Sequence, residues 1–310
     1  MSADQPIAHR SGFVSIVGRP NAGKSTLINR LIGHKVAITS SRPQTTRRII
    51  RGILTRTDAQ LILVDTPGYH RPRTLLGERL NDQVREAWAM VDAIACCMPA
   101  DQAVGPGDRF IAREVTSLGR TPVVAVVTKA DAVSREVLAE RLAEVAALAD
   151  ELDISWASVV PVSSARGENI EVLVDALIAL LPEGPVLYPD GEVSDEPIEV
   201  AVAELIREAA LEGVQDELPH SIAVVVEEMG RREDRPEDRP LTDIHANLFV
   251  ERDSQKAIVI GKGGSRLKQV GTRARAEIER LIGTPVYLDI HVKVAKDWQQ
   301  DPKKLRRLGF

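Results

Sequence analysis

A glycine-rich segment near the amino terminus has the residue types and spacing of a phosphate-binding loop. Gly18–Ser25 reads GRPNAGKS, which fits G-x-x-x-x-G-K-S/T, and lies between an apolar run and a helical pattern. In such loops backbone N–H groups surround phosphates, and the helix amino terminus adds positive potential. We expect Lys24 to contact the β- and γ-phosphates and Ser25 to bind Mg²⁺. The other loop residues expected to contact a nucleotide are Gly18, Asn21, Ala22, Gly23 and Thr26.

A second phosphate-contacting motif is expected where another apolar run ends. Asp65–Gly68 (DTPG) directly follows the residues LILV. An aspartate there can hold Mg²⁺ through water, while the N–H of Gly68 can meet a γ-phosphate. Asp65 is therefore a candidate metal-binding residue, and Gly68 is a candidate catalytic residue together with Lys24.

Two further segments have the chemistry to recognise a base. Thr128–Asp131 (TKAD, including Lys129) follows the apolar run PVVAVV, and Ser163–Ala165 (SSA) follows SVVPV. The carboxylate of Asp131 can accept both N1–H and N2–H₂ of guanine, and adenine offers no such pair of donors. The backbone N–H groups of Ser164 and Ala165 can reach the guanine O6. The four segments together predict a guanine-nucleotide site.

Short strands must alternate with helices to bring these four segments together. Up to residue 182 the apolar runs alternate with helical patterns of about ten to eighteen residues, which indicates a mostly parallel sheet covered by helices. The runs at 48–55 and 60–65 are too close for a crossover helix, so we predict an antiparallel hairpin at one edge of six strands. Ligands of such sheets bind at the carboxyl ends of the strands, where all four motifs lie.

A different glycine-rich loop occurs in the last third of the chain. Residues 258–264 read IVIGKGG, and we expect the loop Gly261-Lys262-Gly263-Gly264 to lie between a short strand at 256–260 and a helix at 265–282. The loop resembles the G-x-x-G loop of KH domains, which clamps the backbone of single-stranded RNA. The order of elements resembles the prokaryotic (type II) KH arrangement. The basic residues Arg266 and Lys268 join the four loop residues as RNA-binding candidates.

The carboxyl-terminal residues 293–310 leave two interpretations open. Five basic side chains surround Trp298, namely Lys296, Lys303, Lys304, Arg306 and Arg307. The tryptophan can stack on RNA while the basic residues neutralise phosphates. Alternatively, the segment is a helical cap packed on the preceding module.

Composition and charge bound the remaining possibilities. A chain of 310 residues has room for about two domains, and we place them at 11–182 and 198–310, joined by an acidic, proline-rich linker at 183–197. Residues 256–310 have a net charge of +8 (13 Lys and Arg, 5 Asp and Glu), and the remainder has −13, so a polyanionic partner is expected at the basic end.

No signal peptide or membrane-length apolar run occurs. Cys96 and Cys97 are expected to be separate buried thiols, which is typical of a cytoplasmic protein.

Taken together, GRPNAGKST, SSRPQTTR at 40–47, DTPGYHRP, TKAD and SSA resemble the Era family of bacterial ribosome-assembly GTPases, over essentially the whole chain. The resemblance implies a P-loop GTPase domain followed by a smaller α+β KH domain. It implies a slow, Mg²⁺-dependent GTP-hydrolysing switch that binds 16S rRNA near its 3′ end and assists assembly of the small ribosomal subunit. Thr46 would be the switch threonine, a catalytic candidate that binds Mg²⁺ and senses the γ-phosphate, with Thr45 as the alternative. A monomer is expected, with a peripheral membrane contact as a weaker expectation.

Two residues depart from the usual GTPase pattern. Thr128 replaces the asparagine of N-K-x-D; its hydroxyl can still tie this loop to the phosphate loop, although it cannot reproduce both amide contacts. Tyr69 stands where Ras-like enzymes have a water-orienting glutamine. Backbone groups near Thr46 and Gly68, a monovalent cation or a partner must then orient the water. By resemblance to related phosphate loops, Asn21 is a candidate K⁺ ligand.

Two other functions remain open from the residues alone. Because Tyr69 replaces the glutamine, one alternative is an RNA-binding module whose nucleotide pocket is structural or regulatory and hydrolyses GTP negligibly. An ATP-using P-loop enzyme is disfavoured by Asp131. His70, beside Tyr69, is interpreted as a surface or switch residue rather than a base, because phosphoryl transfer needs positioning more than deprotonation.

Overall fold

The computed structural model describes residues 9–39, 47–67, 69, 74–117, 119, 121–212, 221–236 and 238–308. The chain forms two compact units, the first ending at Asp195 and the main part of the second being Glu196–Phe310. In the described residues, no helix combines the length and the apolar character needed to cross a membrane.

The first unit alternates strands and helices around one sheet. In chain order its elements are β1 (Arg10–Val17), α1 (Lys24–Ile32), β2 (Ile50–Thr55), β3 (Ala59–Asp65), α2 (Leu75–Ala89, in this unit from Leu80 on), β4 (Ala93–Pro99), α3 (Pro106–Thr116), β5 (Val123–Thr128), α4 (Arg135–Leu152), β6 (Trp156–Pro161) and α5 (Ile170–Ile178). The strand order is β2-β3-β1-β4-β5-β6. Only β2 runs antiparallel to its neighbour, which confirms the predicted six-stranded sheet and its edge hairpin.

The central strands are buried on both faces, which explains their continuous apolar sequences. Every residue of β3, β4 and β5 is buried, as parallel sheets covered by helices require. The adjacent Cys96 and Cys97 point to opposite faces and join different core clusters. Both thiols are free, and burial raises the pKa of each. The prediction of two separate buried thiols is confirmed.

Residues 183–195, which composition predicts as a linker, lie against β2 and β3. The side-chain oxygen of Gln60 accepts the N–H groups of Leu187 and Tyr188, and its amide nitrogen donates to the Tyr188 carbonyl. The N–H of Ile53 donates to the carbonyl of Val193. These bonds satisfy backbone groups of an otherwise irregular, proline-rich segment.

The second unit is a three-stranded sheet with helices on one face. Its elements are α6 (Ile198–Leu211), β7 (Ala223–Arg231), β8 (Thr242–Val250), α7 (Asp253–Ile260), α8 (Ser265–Ile282), β9 (Val286–Val294) and α9 (Pro302–Arg307). The strand order is β7-β8-β9, with β7 antiparallel and β9 parallel to β8. Helices α6 and α8 bury Val202, Ile206 and Ile278 in one cluster with Ile244 and Leu248 of β8.

The predicted strand at 256–260 is wrong, because these residues form the second half of helix α7. The side-chain oxygen of Gln255 accepts the N–H groups of Glu251 and Arg252, and so caps the amino terminus of the helix. Val259 is buried in the core of the unit. The cap and this packing outweigh the modest preference of β-branched residues for strands. The G-x-x-G loop therefore lies between two helices.

Candidate functional site

The phosphate loop adopts a tight strand-to-helix turn. Strand β1 ends at Val17 and helix α1 begins at Lys24. Gly18 has φ +151°, and a Cβ there would lie 2.6 Å from the carbonyl oxygen of Cys97. Only glycine fits this close approach of two backbones. Gly23, at φ +86°, and Asn21, at φ +63°, also have left-handed backbone conformations.

The side chain of Lys24 folds back over this loop. Its Nζ donates to the carbonyl oxygens of Gly18 and Arg19, at 3.0 and 3.1 Å. Burial lowers the pKa of Lys24, and the negative charge of Asp65 opposes that shift. The buried ammonium is a compact positive charge with donors available to phosphate oxygens.

A hydroxyl and a carboxylate meet beside the loop. Ser25 Oγ donates to Asp65 Oδ2 at 2.9 Å, and Asp65 is completely buried at the end of β3. These two residues are forty positions apart in the chain. Hard oxygen ligands of this kind suit Mg²⁺, which protein sites usually hold through only one or two carboxylates. The donor set therefore fits the metal expected from the sequence.

The two switch segments are only partly described. Thr45 and Thr46, as well as Gly68 and His70, lie outside the described residues. The assignments of Thr46 and Gly68 stay predictions.

The predicted tie between the base-recognition and phosphate loops is present. Thr128 Oγ1 donates to the carbonyl oxygen of Ala22 at 2.6 Å, and both groups are buried. A single hydroxyl thus makes one of the contacts expected of an asparagine at this position. The bond holds the end of β5 against the amino terminus of α1.

The remaining residues predicted to contact the base follow β5 and β6. Lys129 has a left-handed φ of +56°, and Asp131 follows in a short 3₁₀ turn. The N–H of Ala130 donates to the carbonyl of Val162 at 3.0 Å, which links this turn to the segment containing Ser164 and Ala165. The structure thus places both predicted base-contacting segments at neighbouring strand ends.

Tyr69 is anchored in the core rather than exposed to a nucleotide. It is only 4% exposed, and its hydroxyl donates to Glu114 Oε2 at 2.9 Å. Its ring stacks on Phe110 with centroids 5.6 Å apart and packs at 5.1 Å from Trp88. Burial and the adjacent Glu114 carboxylate raise the pKa of Tyr69. The expectation that a phenol here does not replace the water-orienting glutamine stays a prediction.

The G-x-x-G loop of the second unit is open to solvent. Gly261, Gly263 and Gly264 have φ of +73°, +59° and +79°, which disfavour other residue types. A Cβ on Gly263 or Gly264 would meet nothing within 4 Å. Lys262 and Lys268 are exposed. A phosphate backbone can therefore approach this loop closely.

Arg266 has a structural contact that its sequence position does not reveal. Its Nη2 donates to the carbonyl oxygens of Ala210 and Glu212, at 3.3 and 3.0 Å, at the carboxyl end of α6. A Cβ on Gly261 would lie 2.7 Å from the Cβ of Arg266. This candidate RNA-binding residue therefore also fastens the loop to α6.

The stacking interpretation of Trp298 is wrong. The side chain is fully buried, and its Nε1 donates to the carbonyl of Ser221 at 3.0 Å. Leu305 of α9 is also fully buried. The carboxyl-terminal segment is the helical cap of the alternative interpretation, and its indole is inaccessible to RNA bases.

Both units match known protein families. Residues 13–129 match the family model of the 50S ribosome-binding GTPase, and residues 217–299 match that of the KH domain.

Curated relatives and solved structures extend this similarity over the whole chain. GTPase Era of Nocardioides sp. is 64% identical over 309 residues, covering 100% of this chain and 98% of the relative. GTPase Era of Streptomyces coelicolor is 64% identical over 311 residues with the same coverage.

Two solved structures share the fold. A crystal structure of Era in complex with MgGDPNP and nucleotides 1506–1542 of 16S ribosomal RNA has a TM-score of 0.91 at 34% identity, covering 97% of this chain and 99% of that chain. A variant of Aquifex aeolicus Era bound to GDP and AlF₄⁻ has a TM-score of 0.90 at 35% identity, with equal coverage. Because sequence identity is high over the full length of the curated relatives, and the fold agrees, this chain belongs to the GTPase Era family.

Proposed function

We propose that this protein is a GTP-hydrolysing switch that binds 16S rRNA near its 3′ end and assists assembly of the small ribosomal subunit. The observation that carries the proposal is the convergence of the phosphate loop, the Ser25–Asp65 pair and the Thr128–Ala22 bond at one edge of the sheet. The solved relative with MgGDPNP and 16S rRNA nucleotides supports both ligands.

Each side chain of the nucleotide site has a proposed task. The Lys24 ammonium binds the β- and γ-phosphates, and the Asp131 carboxylate selects guanine. Thr128 and Lys129 are further proposed GTP contacts. The phosphoryl group passes through a loose transition state, so the protein positions groups and stabilises charge rather than forming covalent bonds. Mg²⁺, when held by Ser25, Asp65 and Thr46, neutralises phosphate charge. The other proposed GTP contacts are Gly18, Asn21, Ala22, Gly23, Thr26, Gly68, Ser164 and Ala165.

The RNA site is proposed at Gly261–Gly264, with the exposed Lys262 and Lys268. Arg266 contributes charge there while fastening the loop to α6. The GTPase domain is proposed to span 11–182 and the KH domain 198–310, with 183–197 joining them. We further propose a cytoplasmic monomer; the peripheral membrane contact expected from the basic tail stays a prediction.

The central experiment compares the wild-type protein with Lys24→Ala. We expect the wild type to hydrolyse GTP slowly. Excess unlabelled GTP should displace bound labelled GTP from it, whereas excess ATP should not. Lys24→Ala should lose hydrolysis, because the phosphate charge is then no longer neutralised by the buried ammonium. Phosphate release and nucleotide competition measure both effects. Competition by ATP as strong as that by GTP would contradict guanine selection. A Lys24→Ala variant that still supports subunit maturation would favour an RNA-binding module that does not need GTP hydrolysis.

We propose Asn21 as a ligand of K⁺, which would take the place of an arginine finger. We expect hydrolysis to be faster in K⁺ than in Na⁺ buffer at equal ionic strength, because K⁺ beside the β/γ bridge offsets developing charge. Asn21→Ala should abolish the difference between the two buffers. Rates that are the same in both buffers for the wild type would exclude this role.

A further inference from the structure

A segment outside the four nucleotide motifs contacts two of them. In the loop after β4, Asp101 Oδ2 accepts a hydrogen bond from Lys129 Nζ at 2.9 Å, and Gln102 Oε1 accepts one from Arg19 Nη1 at 2.6 Å. In the first turn of α3, Asp108 Oδ1 accepts from Arg19 Nε at 3.0 Å. Residues 101–108 therefore contact the base-recognition loop through Asp101 and the phosphate loop through Gln102 and Asp108.

Asp108 is the most buried member of this segment, at 3% exposure. Its second oxygen accepts the N–H of Gly105 at 2.9 Å and so caps helix α3. A buried carboxylate persists only when it is paired and hydrogen-bonded, and here Arg19 supplies the charge. The geometry of the ion pair is therefore closely constrained on both sides.

Arg19 links Asp108 to Lys24, because its side chain bonds to Asp108 and its backbone to Lys24. It is the second residue of the phosphate loop, and its backbone carbonyl accepts a hydrogen bond from Lys24 Nζ at 3.1 Å. Fixing the Arg19 side chain against α3 restricts where that carbonyl lies. The position of the Lys24 ammonium then depends on Asp108, which lies 89 residues from Arg19 in the chain.

Asp101 forms an ion pair with Lys129 of the base-recognition loop. The side chains of Lys129 and Asp101 are 34% and 33% exposed, so their ion pair adds little stability. It does set the direction of the Lys129 side chain, two residues before the guanine-selecting Asp131. The contribution of Asp101 is therefore one of orientation.

We propose that Asp108 and Asp101 are positioning residues of the guanine-nucleotide site. Asp108 holds the phosphate loop through Arg19, with support from Gln102, and Asp101 holds the base-recognition loop through Lys129. The proposal rests on the proposed function, because it assumes that these two loops bind the nucleotide. Neither carboxylate is assigned a contact with the nucleotide itself.

The test uses the full chain with fluorescent mant-GDP and with IDP as competitor, since hypoxanthine lacks the N2 amine of guanine. Asp108→Asn retains one acceptor oxygen for two donors, so we expect GDP and IDP to bind about tenfold more weakly, with their affinity ratio unchanged. Asp101→Asn should weaken GDP about two- to fivefold and lower its advantage over IDP. A variant that is only destabilised would not change this ratio.

A double-mutant cycle separates the Arg19 link from the capping of α3. Arg19→Gln should weaken GDP as Asp108→Asn does, and the double variant should be no weaker than either single variant. Arg19→Gln leaves the Asp108–Gly105 cap in place, so it carries the test if Asp108→Asn does not fold. The control is Glu151→Gln, which breaks an ion pair of Arg109 on α3 without touching either loop and should leave GDP affinity unchanged.

The outcomes are distinguishable. The role of Asp108 would be overturned if the losses of GDP affinity in the two single variants added in the double variant. It would also be overturned if Asp108→Asn and Arg19→Gln bound GDP within twofold of the wild type. An unchanged GDP/IDP ratio for Asp101→Asn would overturn the role of Asp101. A wild-type protein that fails to bind mant-GDP would instead contradict the proposed function.

Discussion

Single residues of the nucleotide site act through contacts as much as through their own chemistry. Thr128 substitutes for the common asparagine because its hydroxyl reaches the carbonyl of Ala22 at 2.6 Å inside a buried region. Tyr69 occupies the glutamine position, yet its hydroxyl bonds to Glu114 and its ring packs on Phe110. Thr128 thus ties its loop to the phosphate loop, whereas Tyr69 is buried in the core.

Replacing Thr128 by valine tests the first of these contacts. Valine has nearly the same shape but no donor, so the buried carbonyl of Ala22 loses its partner. We expect the free energy of unfolding to fall by about 1–3 kcal/mol, and GDP affinity to fall with it. Urea unfolding followed by circular dichroism, together with a mant-GDP titration, measures both. Thr128→Ser keeps the hydroxyl and is the matched control; a valine variant as stable as the serine variant would show that the bond contributes nothing.

At the scale of elements, end caps and edge contacts determine structures that residue preferences do not. Helix α7 contains a β-branched run that predicts a strand, but Gln255 caps its start and Val259 packs into the core. Residues 183–195 have the acidic, proline-rich composition of a linker, yet Gln60 binds their backbone. Local composition gives only a weak preference in both cases, and a few specific bonds outweigh it.

The capping role of Gln255 has a local consequence. Gln255→Ala removes the acceptor for two N–H groups, and its Nε2 also donates to Ser221 Oγ at 3.0 Å. We expect the free energy of opening helix α7 to fall by about 1 kcal/mol. Amide hydrogen exchange of peptides covering 253–260 measures it. Gln255→Glu keeps the acceptor oxygen, so equal exchange in the alanine and glutamate variants would argue against the cap.

Across the whole molecule, charge is distributed unevenly between the ends of the chain. The +8 of residues 256–310 stands against −13 in the rest. The exposed Lys262 lies in the open glycine loop and the exposed Lys268 in the helix after it, whereas Trp298 is buried in the core. Binding of RNA by this surface is therefore expected to depend on phosphates and on the loop, and not on stacking by that indole.

Nucleotide and RNA affinities are expected to be coupled in the full protein. If the γ-phosphate orders the segments around Thr46 and Gly68, and the RNA groove is accessible in one state only, single-stranded 16S rRNA should bind more tightly with GDPNP than with GDP, by about fivefold or more. By linkage, RNA must raise the GDPNP/GDP affinity ratio by the same factor. Fluorescence anisotropy with labelled RNA measures the first ratio, and mant-nucleotide titration measures the second.

The control for this coupling is a variant of the RNA loop. Lys262→Glu should weaken RNA binding with either nucleotide, because a carboxylate then faces the phosphates. If the wild type binds RNA equally tightly with GDPNP and with GDP, the coupling is contradicted. That result would leave RNA binding itself unaffected.

The sequence by itself determined the sheet, its edge hairpin, the G-x-x-G loop of the second unit and the four nucleotide motifs. Each of these is encoded by neighbouring residues, through apolar periodicity or glycine spacing, so that reading along the chain is sufficient. Only the tertiary structure decided that Tyr69 and Trp298 are buried, that Arg266 fastens α6, and that residues 101–108 contact the phosphate and base-recognition loops. These features depend on side chains that meet across large separations in sequence, as Arg19 and Asp108 do. No local pattern specifies such partners, because the fold alone brings them within hydrogen-bonding distance.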